Sequence, residues 1–176
     1  MRGVNLDGDD QADRSVHGGP DKAVYAYASE DLAWWAEGLG QPVEPGSFGE
    51  NLTTAGIDRS EAVIGERWAI GSTLLEVSQP RVPCFKLGIR MGDPTFPRRF
   101  AQAGRPGAYL RVVAEGSLRA GDVIRPVSRP VHGVTVGLVT RAYHRDHSLA
   151  ARILEAPELP EPWVGWARNV LRARTA

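Results

Sequence analysis

The strongest constraint on what this chain can fold into is a series of short apolar strands in its middle, each closed by a glycine turn. Arg67–Ile70 and Thr73–Val77 flank Gly71-Ser72 and read as a hairpin, with Ala108–Val113 as a further strand. Gly116 and Gly121-Asp122 punctuate the turns before Val123-Ile124. Earlier, Val24–Ala28 alternates valine, alanine and tyrosine and reads as one more strand. Strands this short at this spacing predict a small barrel rather than a βαβ sheet. The 176 residues suit one average domain with room for a small appendage.

Helical patterns sit around these strands. Ser29 is placed to cap a helix whose first turn holds Glu30 and Asp31 and whose apolar face is Leu32, Trp35 and Ala36. Gly38 or Gly40 ends it. A second helix starts at Asp93-Pro94, stacks Phe96 on Phe100 at i and i+4, and stops at Gly104. After Pro130 the pattern changes. Thr135–His144, Asp146–Glu155 and Glu161–Arg172 each repeat apolar residues at helical spacing. So small a bundle holds too little core to fold alone, and docking on the barrel is expected.

Several function classes drop out. A hydrophobic fraction of 42% with 24% charged residues is ordinary globular composition, not disorder. There is no apolar run of membrane-spanning length, and Met1–Asp7 lacks the apolar core of a secretory signal. A cytoplasmic protein is the expectation. Cys84 is the single cysteine, which excludes an internal disulfide and any multi-cysteine zinc site. His144 and His147 lie three apart but lack a third ligand, and His132 reads as a linker residue. Neither a complete dinucleotide fingerprint nor a phosphate-loop pattern is present.

Charge is divided along the chain. Residues 1–66 carry 13 acidic and 4 basic residues, net −9, and residues 67–176 carry 8 acidic and 17 basic, net +9. Between Val77 and Arg111 seven Arg or Lys accompany one acid, Asp93. Such density suits an anionic ligand, a phosphorylated cofactor or nucleic acid. It equally suits arginines that answer the acidic front part across the fold. The two lysines, Lys22 and Lys86, both fall in the segments singled out next.

Gln79-Pro80-Arg81-Val82-Pro83-Cys84-Phe85-Lys86-Leu87 directly follows a predicted strand, which places Cys84 at a strand end or in a loop. The prolines stiffen the backbone there. Arg81 and Lys86 put positive charge near the sulfur and favour thiolate, the form that acts as nucleophile or soft ligand. The plain alternative is a small buried hydrophobe. His17-Gly18-Gly19-Pro20-Asp21-Lys22 combines glycines that admit a ligand to the backbone with a proton-transfer group and a cation. A simple turn explains it as well. Gly46-Ser47-Phe48-Gly49-Glu50-Asn51 is likewise either a tight turn or a backbone cradle for phosphate.

Taken together, VHGGPDKAVYAY (residues 16–27), GSFGENLTTAGID (46–58) and SQPRVPCFKLGIRM (78–91) resemble the MOSC domain family, and within it the 6-N-hydroxylaminopurine resistance group. RPGAYLRVVAEGSLRAGD (105–122) and the helical tail fit as well. The resemblance implies a mainly β fold with α: a β-barrel over residues 1–130 and a three-helix domain over 134–176. It further implies that the barrel binds the molybdenum cofactor, with Cys84 as molybdenum ligand beside the pterin dithiolene. Arg81, Lys86 and Lys22 become anion contacts for the pterin phosphate. Gly18, Gly19, Gly49 and Asn51 line the cofactor, and His17 supplies protons. The implied reaction reduces N-hydroxylated compounds, such as hydroxylaminopurines, to amines: the N–O bond breaks and water leaves after two protons arrive. Two electrons must come from a separate reductase.

The resemblance implies a further N-terminal stretch with the first barrel strands, so this chain is expected to start just inside the match. A second reading keeps the fold and makes Cys84 a persulfide carrier, without a pyridoxal phosphate domain in this chain. A third uses the basic half and helical tail to bind nucleic acid, against which stand Glu155, Glu158 and Glu161 in the same bundle.

Overall fold

The computed structural model describes residues 18–58 and 60–175. Six strands form one mixed sheet in the order β2-β1-β5-β4-β3-β6. They are β1 (Val24–Ala28), β2 (Leu52–Thr54), β3 (Arg67–Ile70), β4 (Thr73–Pro80), β5 (Ala108–Ala114) and β6 (Arg125–Ser128). The sheet makes a half-barrel. Helices α1 (Ser29–Leu39), α2 (Phe85–Met91) and α3 (Phe96–Ala103) lie between strands, and α4 (Val136–His144), α5 (Ala150–Ile153) and α6 (Glu161–Thr175) form the tail. Among the described residues no helix is long and apolar enough to cross a membrane.

Strand β1 decides the architecture because both its faces are buried. Side chains alternate across a strand, so Val24 and Ala26 enter one core while Tyr25 and Tyr27 enter another. The first core is aliphatic with two tryptophans: Leu75, Val77 and Leu110 of the sheet meet Val139, Ile153 and Trp163 of the tail. The tail therefore shares its core with the sheet, as its short apolar faces require. The second core is aromatic. Tyr27, Trp35, Phe48, Phe96 and Phe100 interlock under α1 and α3, with Trp35 stacked on Phe100 at 5.9 Å. Each such side chain, fully buried, adds roughly 1.5–3 kcal/mol through burial alone.

The hairpin β3–β4 pairs Ile70 with Thr73 across Gly71-Ser72, as the sequence predicts. Gly71 adopts φ 56°, and a Cβ there would lie 2.3 Å from the Ser117 carbonyl, so the turn admits glycine alone. Three sequence expectations shift. Pairing of β1 with β2 is parallel, across α1, so one βαβ-type crossover exists inside the predicted barrel. Ser29 is the first residue of α1 rather than its cap; Ala28 holds the extended cap position. The last strand occupies Arg125–Ser128 instead of Val123-Ile124. A helix that the sequence pattern does not announce, α2, follows Cys84.

Candidate functional site

A cleft of about 530 Å³ opens where the sheet's end meets the helical tail. One wall is Gly18–Lys22, another is the exit of β4 (Gln79, Pro80, Val82, Pro83) leading to Cys84, and Tyr109 lies between them. The far wall comes from the tail: Tyr143, Pro160, Pro162, Trp163 and Trp166.

Cys84 is half-buried at the N-cap of α2, its carbonyl accepting from the Leu87 amide at 3.0 Å. Pro83 ends the extended segment and the helix starts at once, so the sulfur-bearing residue is held between two rigid pieces. The Gly18–Lys22 wall is also fixed. Lys22 N donates to the Gly19 carbonyl at 3.0 Å, closing a 3-10 turn over Pro20–Lys22. Gly19 has φ 98°, a conformation that side-chain-bearing residues avoid, while a Cβ there would meet open space. Its glycine is therefore demanded by backbone shape. The Asp21 carbonyl accepts from Ser78 Oγ and from Gln79 Nε2, the latter at 3.2 Å. Its carboxylate pairs with Arg111, which also binds Glu76 at 2.9 Å. The acid nearest the anion-ready turn is thus already matched by a cation.

Gln79 joins the two halves of the cleft. Its Oε1 accepts from Trp163 Nε1 at 2.6 Å, a bond spanning 84 residues of sequence. Trp163 in turn packs edge-on against Tyr143 at 5.2 Å, and Tyr143 lies 5.1 Å from Trp166. The far wall is a connected aromatic platform anchored to the sheet by one buried hydrogen bond. Burial pushes the Tyr109 phenol above its ordinary pKa; Arg81 opposes that and the Cys84 charge adds to it. Tyr109 therefore presents a neutral hydroxyl, a hydrogen-bond donor, to the cleft at neutral pH.

The sequence-derived candidates divide. Cys84, Gly18, Gly19 and Lys22 all line this one cleft. Arg81, Lys86, Gly49 and Asn51 do not. Arg81 points into the aromatic core, where its guanidinium donates to the Phe48 carbonyl and lies 4.9 Å from the Tyr25 ring centroid. Burial works against its charge, yet Tyr25 and Tyr109 hold the guanidinium above its usual pKa. Lys86 is exposed on α2. Gly49 turns the loop at φ 75° and donates to the Gly46 carbonyl at 2.9 Å. Asn51 clasps β1: its amide donates to the Tyr25 carbonyl at 2.9 Å and its Oδ1 accepts from Tyr25 N at 2.8 Å. It lines a separate groove at the β2 edge. His17 lies outside the described residues.

Sequence reasoning missed Gln79, Tyr109, Tyr143, Trp163 and Trp166 as cleft residues. The tryptophans read as core, and Trp163 is indeed buried while also walling the cleft. Gln79 carried the one available signal, an amide side chain at the end of a strand rich in apolar residues.

The donor set says what kind of metal could be held. Among the described residues no three His, Cys, Asp or Glu side chains gather. Cys84 thus suits a metal that brings its remaining ligands with it, as a cofactor-bound ion does. A soft sulfur, a glycine turn beside a lysine and a cleft of this volume fit such a group.

Comparison with known proteins completes the picture. The sequence profile of the MOSC domain matches residues 13–125. The uncharacterized protein YflK of Bacillus subtilis (strain 168) is 40% identical over 162 residues, covering 90% of this chain and 73% of its own length. A protein of Gibberella moniliformis named a reductase is 35% identical over 157 residues, 87% of this chain, which spans 28% of that protein. The crystal structure of YiiM from Geobacillus stearothermophilus superimposes with a TM-score of 0.82 at 33% identity, covering 87% of this chain and 80% of that one.

Proposed function

Because the chain belongs to the MOSC domain family, we propose that it binds the molybdenum cofactor in the Cys84 cleft and reduces N-hydroxylated compounds to amines. The observation that carries this reading is the meeting, in one cleft, of Cys84 with Gly18, Gly19 and Lys22, from segments about sixty residues apart in sequence. When bound, the cofactor supplies two-electron chemistry at molybdenum that removes oxygen from nitrogen.

The protein's own residues do the rest. Cys84 offers a soft, electron-donating sulfur, the one sulfur ligand among the described residues of the cleft. Lys22 and the backbone of the Gly18-Gly19 turn receive a phosphate, with Asp21 kept neutralised by Arg111 so that it does not repel the anion. Arg81 acts at one remove: by gripping the Phe48 carbonyl it fixes the strand exit that carries Cys84. Tyr143 and Trp166 offer flat faces on which a planar heteroaromatic substrate stacks. Tyr109, in the wall of the cleft, donates a hydrogen bond to an oxygen on the substrate. His17 is the proposed proton source. A separate reductase feeds the site with electrons.

Cofactor-loaded protein with dithionite-reduced methyl viologen and a hydroxylaminopurine tests the reading. One amine should form for every two electrons consumed, and Cys84→Ser should abolish it. Viologen oxidation without amine, or undiminished amine from Cys84→Ser, contradicts it.

A further inference from the structure

We propose that the outer face of α2 is the docking surface for the electron donor, an acidic flavin-carrying protein. The inference rests on the reductive reading above and adds the place and the chemistry of the partner. Helix α2 has two apolar faces, and among the described residues only one of them is buried against the fold. Leu87 and Gly88 are buried, with Met91 packed on the aromatic core. On the other side Phe85 is 68% exposed and Ile89, one turn later, 74%. Val82, just upstream, is 42% exposed. A lone exposed apolar residue needs no explanation, but three large ones within eight positions mark a contact surface.

Position and charge identify what covers it. Cys84 is the N-cap of α2, and a helix rises about 1.5 Å per residue, so the patch begins within one turn of the cysteine. A donor seated there brings its own redox group close to the cleft. The flank is cationic. Lys86 and Arg90 share the outer half of α2, and Arg98 and Arg99 are exposed on α3, which packs beside it. The one acid in this stretch, Asp93, pairs with Arg99 at 3.2 Å, so residues 85–103 keep a net charge of +3. An apolar centre with a positive rim selects an acidic partner and speeds its encounter. The balance of the reaction states what the carrier delivers. Reduction of R–NHOH takes two electrons and two protons, and a flavin hydroquinone surrenders that set as it returns to oxidised flavin. The N–O bond breaks, and the amine and water leave.

Flavodoxin, an acidic flavin protein, is the probe. It is titrated at low salt into the full chain, into a Phe85→Glu/Ile89→Glu double variant and into Cys84→Ala. The double variant should weaken binding by about tenfold or more, as loss of an apolar anchor pair does. Cys84→Ala should bind like the wild type, and added salt should weaken the wild-type complex. In turnover the double variant should lose flavodoxin-driven reduction and keep the viologen-driven rate. Equal flavodoxin affinity of wild type and double variant, or no wild-type binding at low salt, overturns the proposal. So does a wild-type dimer that the double variant splits, because a second copy would then cover the patch. Patch-dependent binding in a protein without viologen turnover would instead break the proposed function and leave the docking surface standing.

Discussion

Two glycine-rich segments of this chain, Gly18–Lys22 and Gly46–Asn51, read alike from sequence and end differently in the fold. Both offer glycines, a turn and a polar residue suited to holding an anion. The second satisfies its polar groups internally. Glu50, buried, accepts from Gly46 N at 2.6 Å and Phe48 N at 3.1 Å, Asn51 clasps Tyr25, and Arg81 takes the Phe48 carbonyl. The first turns toward the cleft and shares it with Cys84. The first is bonded as well, its Asp21 held by Ser78, Gln79 and Arg111, so what separates a scaffold turn from a site turn is which surface it lines. That difference is invisible in residue type.

The comparison breaks most sharply at Glu50. Its replacement by alanine leaves buried amide donors unmatched and should cost about 2–3 kcal/mol in urea unfolding. Lys22→Ala should cost less stability than Glu50→Ala while lowering cofactor retention. The reverse pattern would exchange the roles of the two segments. Trp166→Ala should raise KM for a planar hydroxylamine about tenfold, equivalent to about 1.4 kcal/mol of lost stacking. An unchanged KM would remove the aromatic wall from substrate binding.

The smallest effect concerns the tail behind that wall. His144 lies 4.9 Å from Tyr143, and burial, with Arg145 second, lowers its pKa below 6.5. The unfolded chain therefore binds this proton more readily than the folded one. Stability contributed here is present above the unfolded value and is lost as pH falls from it toward the depressed folded value. Urea midpoints across that window should slope in the wild type and flatten in His144→Gln. Equal slopes in both would show that other groups carry the dependence.

Legibility in the sequence followed the same division. The β3–β4 hairpin, β1, α3 and α4 were readable because period and turn residues agree locally. Thr135, for instance, accepts from Leu138 N at 3.1 Å as a true N-cap. Helix α2 was not readable: it is seven residues long, and its exposed Phe85 and Ile89 add apolar residues on the wrong face. The parallel β1–β2 pair was hidden because the chain needs α1 and a long loop to return, and no local pattern reports such a crossover. In the site, Cys84 and the Gly18–Lys22 turn were legible by chemistry. Arg81 was legible as a cation near the cysteine but not as one that faces a ring cluster. Gln79 and Trp163 meet across 84 residues, which no local pattern could report.

The central claim is that Cys84 holds a cofactor-bound molybdenum in this cleft. Molybdenum and released-pterin content, measured on wild type and Cys84→Ala purified from a host that makes the cofactor, tests it most directly. The account predicts near-stoichiometric molybdenum with pterin in the wild type, and loss of the metal from a folded Cys84→Ala protein. Equal molybdenum in both, or none in the wild type, would contradict it.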